Sequence, residues 1–308
     1  MAASPPAVPV EDVASRALRI LSEHAGCLER LTASYARSRA DRADLMQDIP
    51  RRIRLGADAP RLHAIDAMLT LPTLHGIIRR RLLLNFRVDP AVLQRQLPDR
   101  LRPKLQGGHG VAGICLIRLE DIRPAHVPGF AGLSSENGAH RFAVTWEDET
   151  GPREGVYIPR RDTGSLLNHL AGGRVFPGEH HRARFDVKDD GVGVALRMQA
   201  EDDGVFVDVR AREATALPST SIFGDLATAS AFFAAGSIGY SVTHERGRLD
   251  GIKLVTPDWQ IGALDVAHVA SSYFDDEAIF PKGSIAFDCG LIMRDVAHEW
   301  HAEPNLEV

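Results

Sequence analysis

The 308-residue sequence predicts a β-rich α+β protein preceded by a helical extension. Three observations carry that prediction. From about residue 80 onward, short apolar runs follow one another with period-2 alternation and are punctuated by glycine turns. That whole body offers a single convincing helix, and helical periodicity is otherwise confined to the first 75 residues or so. Many short strands with few helices are read as a curved or closed sheet.

In chain order, MAASPPAVP is followed by apolar residues at Val13, Ala17, Ile20, Leu21, Leu28, Leu31 and Tyr35, steps of three and four that mark an amphipathic helix or a pair broken near Gly26. Asp41 is placed to cap a further short helix carrying Leu45 and Ile49. Residues 56–78 read as a linker and one short helix, so the domain boundary is expected between 75 and 76. Arg79, Arg80 and Arg81 then lead into a strand, Leu82 to Val88, and Asp89 caps a short helix that ends at Pro98. Val111 to Leu119 is apolar at odd and even positions alike, which predicts burial of both faces. Gly108, Gly110 and Gly113 satisfy GxGxxG but open a strand, so the helix N-terminus that would hold a pyrophosphate is missing.

Three alternating runs, Arg182 to Lys188, Val192 to Met198 and Val205 to Arg210, are joined by two Asp-Asp-Gly turns and read as a meander with Ala183, Phe185 and Val187 facing the core. Ser221 to Ala235 is the helix of the body, ended by Gly236, with a strand starting near Ile238. Ser237 lies in a near-match to GxSxG, but helix precedes strand, the reverse of a nucleophile elbow. Further strands are predicted at Ile252 to Val255, Leu264 to Ser271 and Ser284 to Met293.

Composition narrows the function. A net charge of −5 leaves no basic surplus for nucleic acid. No apolar run approaches the length of a membrane span, and Cys27, Cys115 and Cys289 lack metal or redox spacing, so a cytoplasmic protein with reduced thiols is expected. No cofactor and no metal are expected: His180 and His181 are adjacent and diverge on a strand, while His298 and His301 have helical spacing but no third ligand nearby.

Candidate site residues cluster between Gly132 and Val187. Glu136 stands with His140 and Arg141, Tyr157 with Arg160, Arg161 and Asp162, and Arg174 with Glu179, His180 and His181. Strand-like runs alternate with these clusters, the pattern of a sheet that presents polar groups into one cavity.

Two resemblances extend this reading. LERLTASYARSRADRADLMQDI, residues 28–49, resembles the opening of region two in extracytoplasmic-function sigma factors, with Asp44, Leu45, Gln47 and Asp48 at the matching positions. It implies a contact with RNA polymerase, although neither a promoter-melting helix nor a helix-turn-helix follows. From about Arg80 to Trp300, words such as SSENGAHRFAV, EGVYIPRRDTGS and LAGGRVFPGEHHRARFDV resemble the acetoacetate decarboxylase-like superfamily, in an uncharacterised bacterial branch.

That second resemblance implies a barrel-like double sheet with a few flanking helices, and self-association. The decarboxylases act through a desolvated lysine amine, a chemistry for which acetoacetate decarboxylase is the standard example. Gly173, Arg174 and Pro177 fit the family's run, but Gly178 and Glu179 stand where its two lysines belong. The chain has only four lysines, Lys104, Lys188, Lys253 and Lys282, so a Schiff base at the usual place is excluded by residue type.

What carries over is Glu136, at the position of the family's cavity glutamate. Acid/base chemistry is expected from Glu136, His181 and Glu179, and binding of a small carboxylate or carbonyl compound from Arg141, Tyr157, Arg160 and Arg174. The alternative is a metabolite-sensing module with the N-terminal helices as a docking element.

Overall fold

The computed structural model describes residues 73–124, 132–165, 178–243 and 245–308. The helices expected before residue 73, and the polymerase-contact segment 28–49 with them, lie outside these residues. Within them the chain forms 13 strands and two short helices. The strands are β1 (Leu74–Val88), β2 (Arg102–Pro103), β3 (Leu105–Gln106), β4 (His109–Pro124), β5 (Leu133–Asp148), β6 (Gly151–Thr163), β7 (His180–Asp189), β8 (Gly193–Ala200), β9 (Phe206–Ala214), β10 (Ile238–Val242), β11 (Arg248–Val255), β12 (Gly262–Ser271) and β13 (Ile285–Glu307). The helices are α1 (Pro90–Gln94) and α2 (Leu226–Ala235).

The hydrogen-bonded path runs β11-β10-β6-β7-β8-β9-β12-β13-β1-β4-β5-β2, and two further pairings, β5 with β6 and β11 with β13, return it on itself. Strands β1, β4, β5, β6 and β13 therefore belong to two closed circuits at once. They form a wall with a packed layer on each face, which accounts for the double-sided burial expected of Val111 to Leu119. On β4, Ala112, Ile114 and Leu116 enter one core with Leu82, Leu84, Phe142, Phe274 and Phe280. Val111, Cys115, Ile117 and Leu119 enter the other, with Leu83, Phe223, Phe232, Phe233 and Leu291. Burying apolar groups on both faces at about 25 cal/mol per Å² makes this wall the dominant source of stability.

The meander is β7, β8 and β9, antiparallel throughout, with Gly191 and Gly204 at φ +89° and +76° in its two turns. Asp89 caps α1, its side chain accepting from the Ala91 and Val92 N–H groups.

Three expectations are corrected. The helix read from Ser221 begins at Leu226, because Asp225 accepts from Thr228 N and caps it there, while the Ser221 hydroxyl donates to Asp288 Oδ2 at 2.7 Å. Residues 74–78, read as the end of a linker and short helix, are instead the start of β1, paired with the tail of β13 through Leu74–Trp300 and Ile78–Val296, while residues 56–72 of that reading lie outside the described residues. For the same reason His298 and His301 lie on a strand rather than a helix, and β13 runs on to Glu307 to pair with β11. No helix of the described residues is long and apolar enough to cross a membrane.

Candidate functional site

A cavity of about 430 Å³ lies on the Cys115 face of the wall. That size suits a small organic ligand. Its apolar lining includes Ile117, Ala139, Val156, Ile158, Phe233 and Leu254, and its polar lining includes Arg81, Arg141, Arg161, Asn137, His180 and Trp259. Lys253 lies at the exposed margin.

The arginines are placed by strand parity. On β5, Asn137, Ala139 and Arg141 face the cavity, and Glu136, His140 and Phe142 face away from it. Arg141 is 3% exposed. Its Nη2 donates to Asn85 Oδ1 at 2.7 Å, its guanidinium lies 4.9 Å from the Phe233 ring, and its Nε has no partner. Gly113, opposite Arg141 on β4, makes room for this path: a Cβ there would stand 2.8 Å from Leu84 O and 3.2 Å from Arg141 Nη2. Arg81 Nε donates to Cys115 Sγ at 3.3 Å, and Arg161 Nε to Ser241 Oγ at 2.8 Å.

None of the three has a carboxylate partner among the described residues. Burial pushes the pKa of both Arg141 and Arg161 down to about 10, so they stay charged at neutral pH at a cost in desolvation. The Asp250 charge draws Arg161 slightly the other way, although its own Oδ2 accepts from Gly178 N.

His180 is buried beside Arg161 in the parallel β6–β7 register. Its Nδ1 lies 3.0 Å from Gly178 O; a carbonyl only accepts, so Nδ1 donates this bond.

The opposite face of the same wall is also charged, but there the charges are paired. Arg160 bonds Asp162 through Nε and Nη2 and also grips Asp203. Arg80 Nη2 donates to Glu136 Oε2 at 2.8 Å. Burial raises the Glu136 pKa, with Arg80 opposing. His140, wholly buried against Tyr273 and Phe274, is pushed down to about 3 by desolvation. His181 Nδ1 lies 2.6 Å from Asp202 Oδ2.

The structure thus divides the expected site. Arg141 lines the cavity. Glu136, Tyr157, Arg160 and His181 do not: alternate residues of β5 and β7 point to opposite faces, and on β6 the register shift between the His140–Arg160 and Phe142–Tyr157 pairs leaves both Tyr157 and Arg160 out of the lining. Tyr157 is core, its ring 6.2 Å from Phe142. Glu179 is half-buried at the entry to β7, where its N–H donates to Val242 O, and its side chain is not in the cavity lining. Arg174 lies outside the described residues. Sequence reasoning named Arg161 and His180 in its clusters without giving them a role, and passed over Arg81, Trp259 and Trp300. Parity counted from Arg141 flags Arg161, which lies opposite Ala139; Arg81 and Trp300 needed the β1–β4 and β1–β13 registers. For a metal, His181, Asp202 and Asp203 bring three ligand-type atoms within 4.8 Å, but Arg160 already neutralises Asp203.

The fold resembles those of solved acetoacetate decarboxylase-like enzymes. An acetoacetate decarboxylase-like enzyme from Sphingomonas wittichii RW1 is 14% identical, with 78% of this chain and 94% of that one covered and a TM-score of 0.50. The enduracididine biosynthesis enzyme MppR with HEPES buffer bound is 13% identical, with 78% and 89% covered and a TM-score of 0.52. These likenesses establish the fold. The chain belongs to the DUF2071 family, described as an uncharacterized conserved protein, whose model matches residues 77–284. A search of curated proteins gives no match to the chain.

Proposed function

We propose that this chain binds a small organic acid or carbonyl compound in the arginine cavity and acts on it by acid/base chemistry, without a Schiff base. The observation that carries the reading is three guanidinium groups, buried at Arg141 and half-buried at Arg81 and Arg161, without carboxylate partners among the described residues, around one 430 Å³ cavity. Buried cations are normally paired, because desolvation costs several kcal/mol per ion. A bound carboxylate supplies the missing charge and matches the guanidinium fork. The proton transfer is assigned to His180, whose side chain lines the cavity.

The lysines support the negative half. Lys104 Nζ is held 2.8 Å from Glu154, Lys188 and Lys282 are exposed away from the cavity, and Lys253 is exposed at its margin. None sits in the desolvated setting that activates an amine. MppR is also known in complex with a condensation product of pyruvate and imidazole 4-carboxaldehyde, so pyruvate belongs in the probe panel here.

The test is calorimetric titration with acetate, pyruvate and acetoacetate, followed by NMR of α-proton exchange in D2O. Binding that Arg141→Met weakens at least tenfold, with exchange lost in His180→Gln, is the expected result. If no acid or oxo acid binds, or if borohydride traps a ketone on Lys253, the reading fails.

A further inference from the structure

The three cavity arginines form two separate poles, and the geometry points to a ligand with two acid groups, a short dicarboxylate. This inference rests on the reading that the cavity takes an organic acid.

Arg81 on β1 sits opposite Ile117 of β4; its Nε bonds Cys115 of β4 and its Nη1 lies 3.9 Å from Met293 Sδ of β13, so its guanidinium stays beside β1. Arg141 on β5 comes from the other side: its bond to Asn85 of β1 carries it over Gly113, across β4. Both guanidinium groups thus lie on the β1–β4 side of the cavity. Arg161 goes the other way. It lies on β6 opposite Ala139 of β5, and its bond to Ser241 carries it towards β10. The two poles are separated by the whole of β5 and by part of β6, two to three strand spacings or roughly 10–14 Å.

The ground between them is apolar, with Ala139 as floor and Ile117, Val156 and Ile158 beside it. Asp162 in the cavity wall is occupied by Arg160, and Asp250 near Arg161 accepts the Gly178 N–H, so neither closes an ion pair with a cavity arginine. A monocarboxylate satisfies one pole and leaves a buried guanidinium unpaired at the other. Two carboxylates joined by a short hydrocarbon satisfy both. With charge-assisted hydrogen bonds of about 2.8 Å at each end, that gap leaves roughly 4–8 Å between the acid groups, the span of succinate to adipate.

Titration of the full chain with butyrate and with the series malonate, succinate, glutarate and adipate decides this. Succinate, glutarate or adipate should bind at least tenfold tighter than butyrate, with malonate weaker. Arg161→Met should weaken the best dicarboxylate at least tenfold more than it weakens butyrate. Arg161→Lys, which keeps the charge and the stem, should retain part of the preference and guards against a folding defect. If butyrate and the dicarboxylates bind within twofold of one another, or Arg161→Met weakens both equally, the two-pole inference is overturned while acid binding stands. If none of these acids binds, both readings fall together.

Discussion

Arg141→Met separates a residue kept for a ligand from one kept for the fold. Burial takes the Arg141 pKa from 12.5 down to about 10, equivalent to about 3 kcal/mol against the charged form. Methionine fills much of the same volume beside Phe233 without that penalty. The loss is the bond to Asn85 Oδ1, whose orphaning in a fully buried site costs about 1–2 kcal/mol. The balance is a gain of about 1–2 kcal/mol, or a rise in Tm of roughly 2–6 °C for a domain of this size. Differential scanning calorimetry reads that rise. The same variant, titrated with pyruvate or glutarate, should lose at least tenfold in affinity. A fall in Tm of several degrees with binding intact would refute the reasoning, because Arg141 would then be a structural residue.

Three further outcomes follow from other parts of the molecule. Desolvation takes His140 to about 3 and His298 to about 4, so between pH 6.5 and 4 the unfolded chain binds protons that the folded chain refuses. Stability should therefore fall as pH drops through that window, by about 1.4 kcal/mol per pH unit for each histidine, and His140→Phe should halve the slope in urea titrations. Glu136 and Asp162, both raised by burial, act in the opposite sense and blunt the acid end. Gly113→Ala places a methyl 2.8 Å from Leu84 O and 3.2 Å from Arg141 Nη2; it should cost about 1–3 kcal/mol by overpacking and weaken acid binding as well, read by calorimetry. Asp288→Ala strips the Ser221 hydroxyl and Ile222 N–H of their acceptor and should lower the urea midpoint by the equivalent of about 3 kcal/mol.

The strands were legible wherever alternation is local, as in the meander and in the double-sided β4. They were not legible where a strand exists only because of its partner. Leu74–Ile78 has no period-2 pattern and pairs with β13 more than 200 residues away. The tail of β13 reads as a helix through its His298–His301 spacing until β11 claims it. The site failed in a related way. Clustering by sequence groups residues that are neighbours in the chain, whereas a strand sends neighbours to opposite faces. The parity argument was made for His180 and His181 and holds equally for Glu136 against Arg141, and for Arg160 against Arg161.

Arg160 and Arg161 make that last pair a control built into one strand. Both guanidinium groups are removed from bulk water; one has two aspartates and the other a serine hydroxyl. If arginines were present only to fasten the sheet, both would be paired, since an unpaired buried cation is destabilising. Arg160→Met should therefore strand Asp162, which is fully buried, and cost about 3–5 kcal/mol in chemical denaturation. Arg161→Met should leave stability within about 1 kcal/mol and abolish the preference for dicarboxylates. Equal stability losses in the two variants would mean that Arg161 also serves the fold, and the argument from its missing partner would have no force.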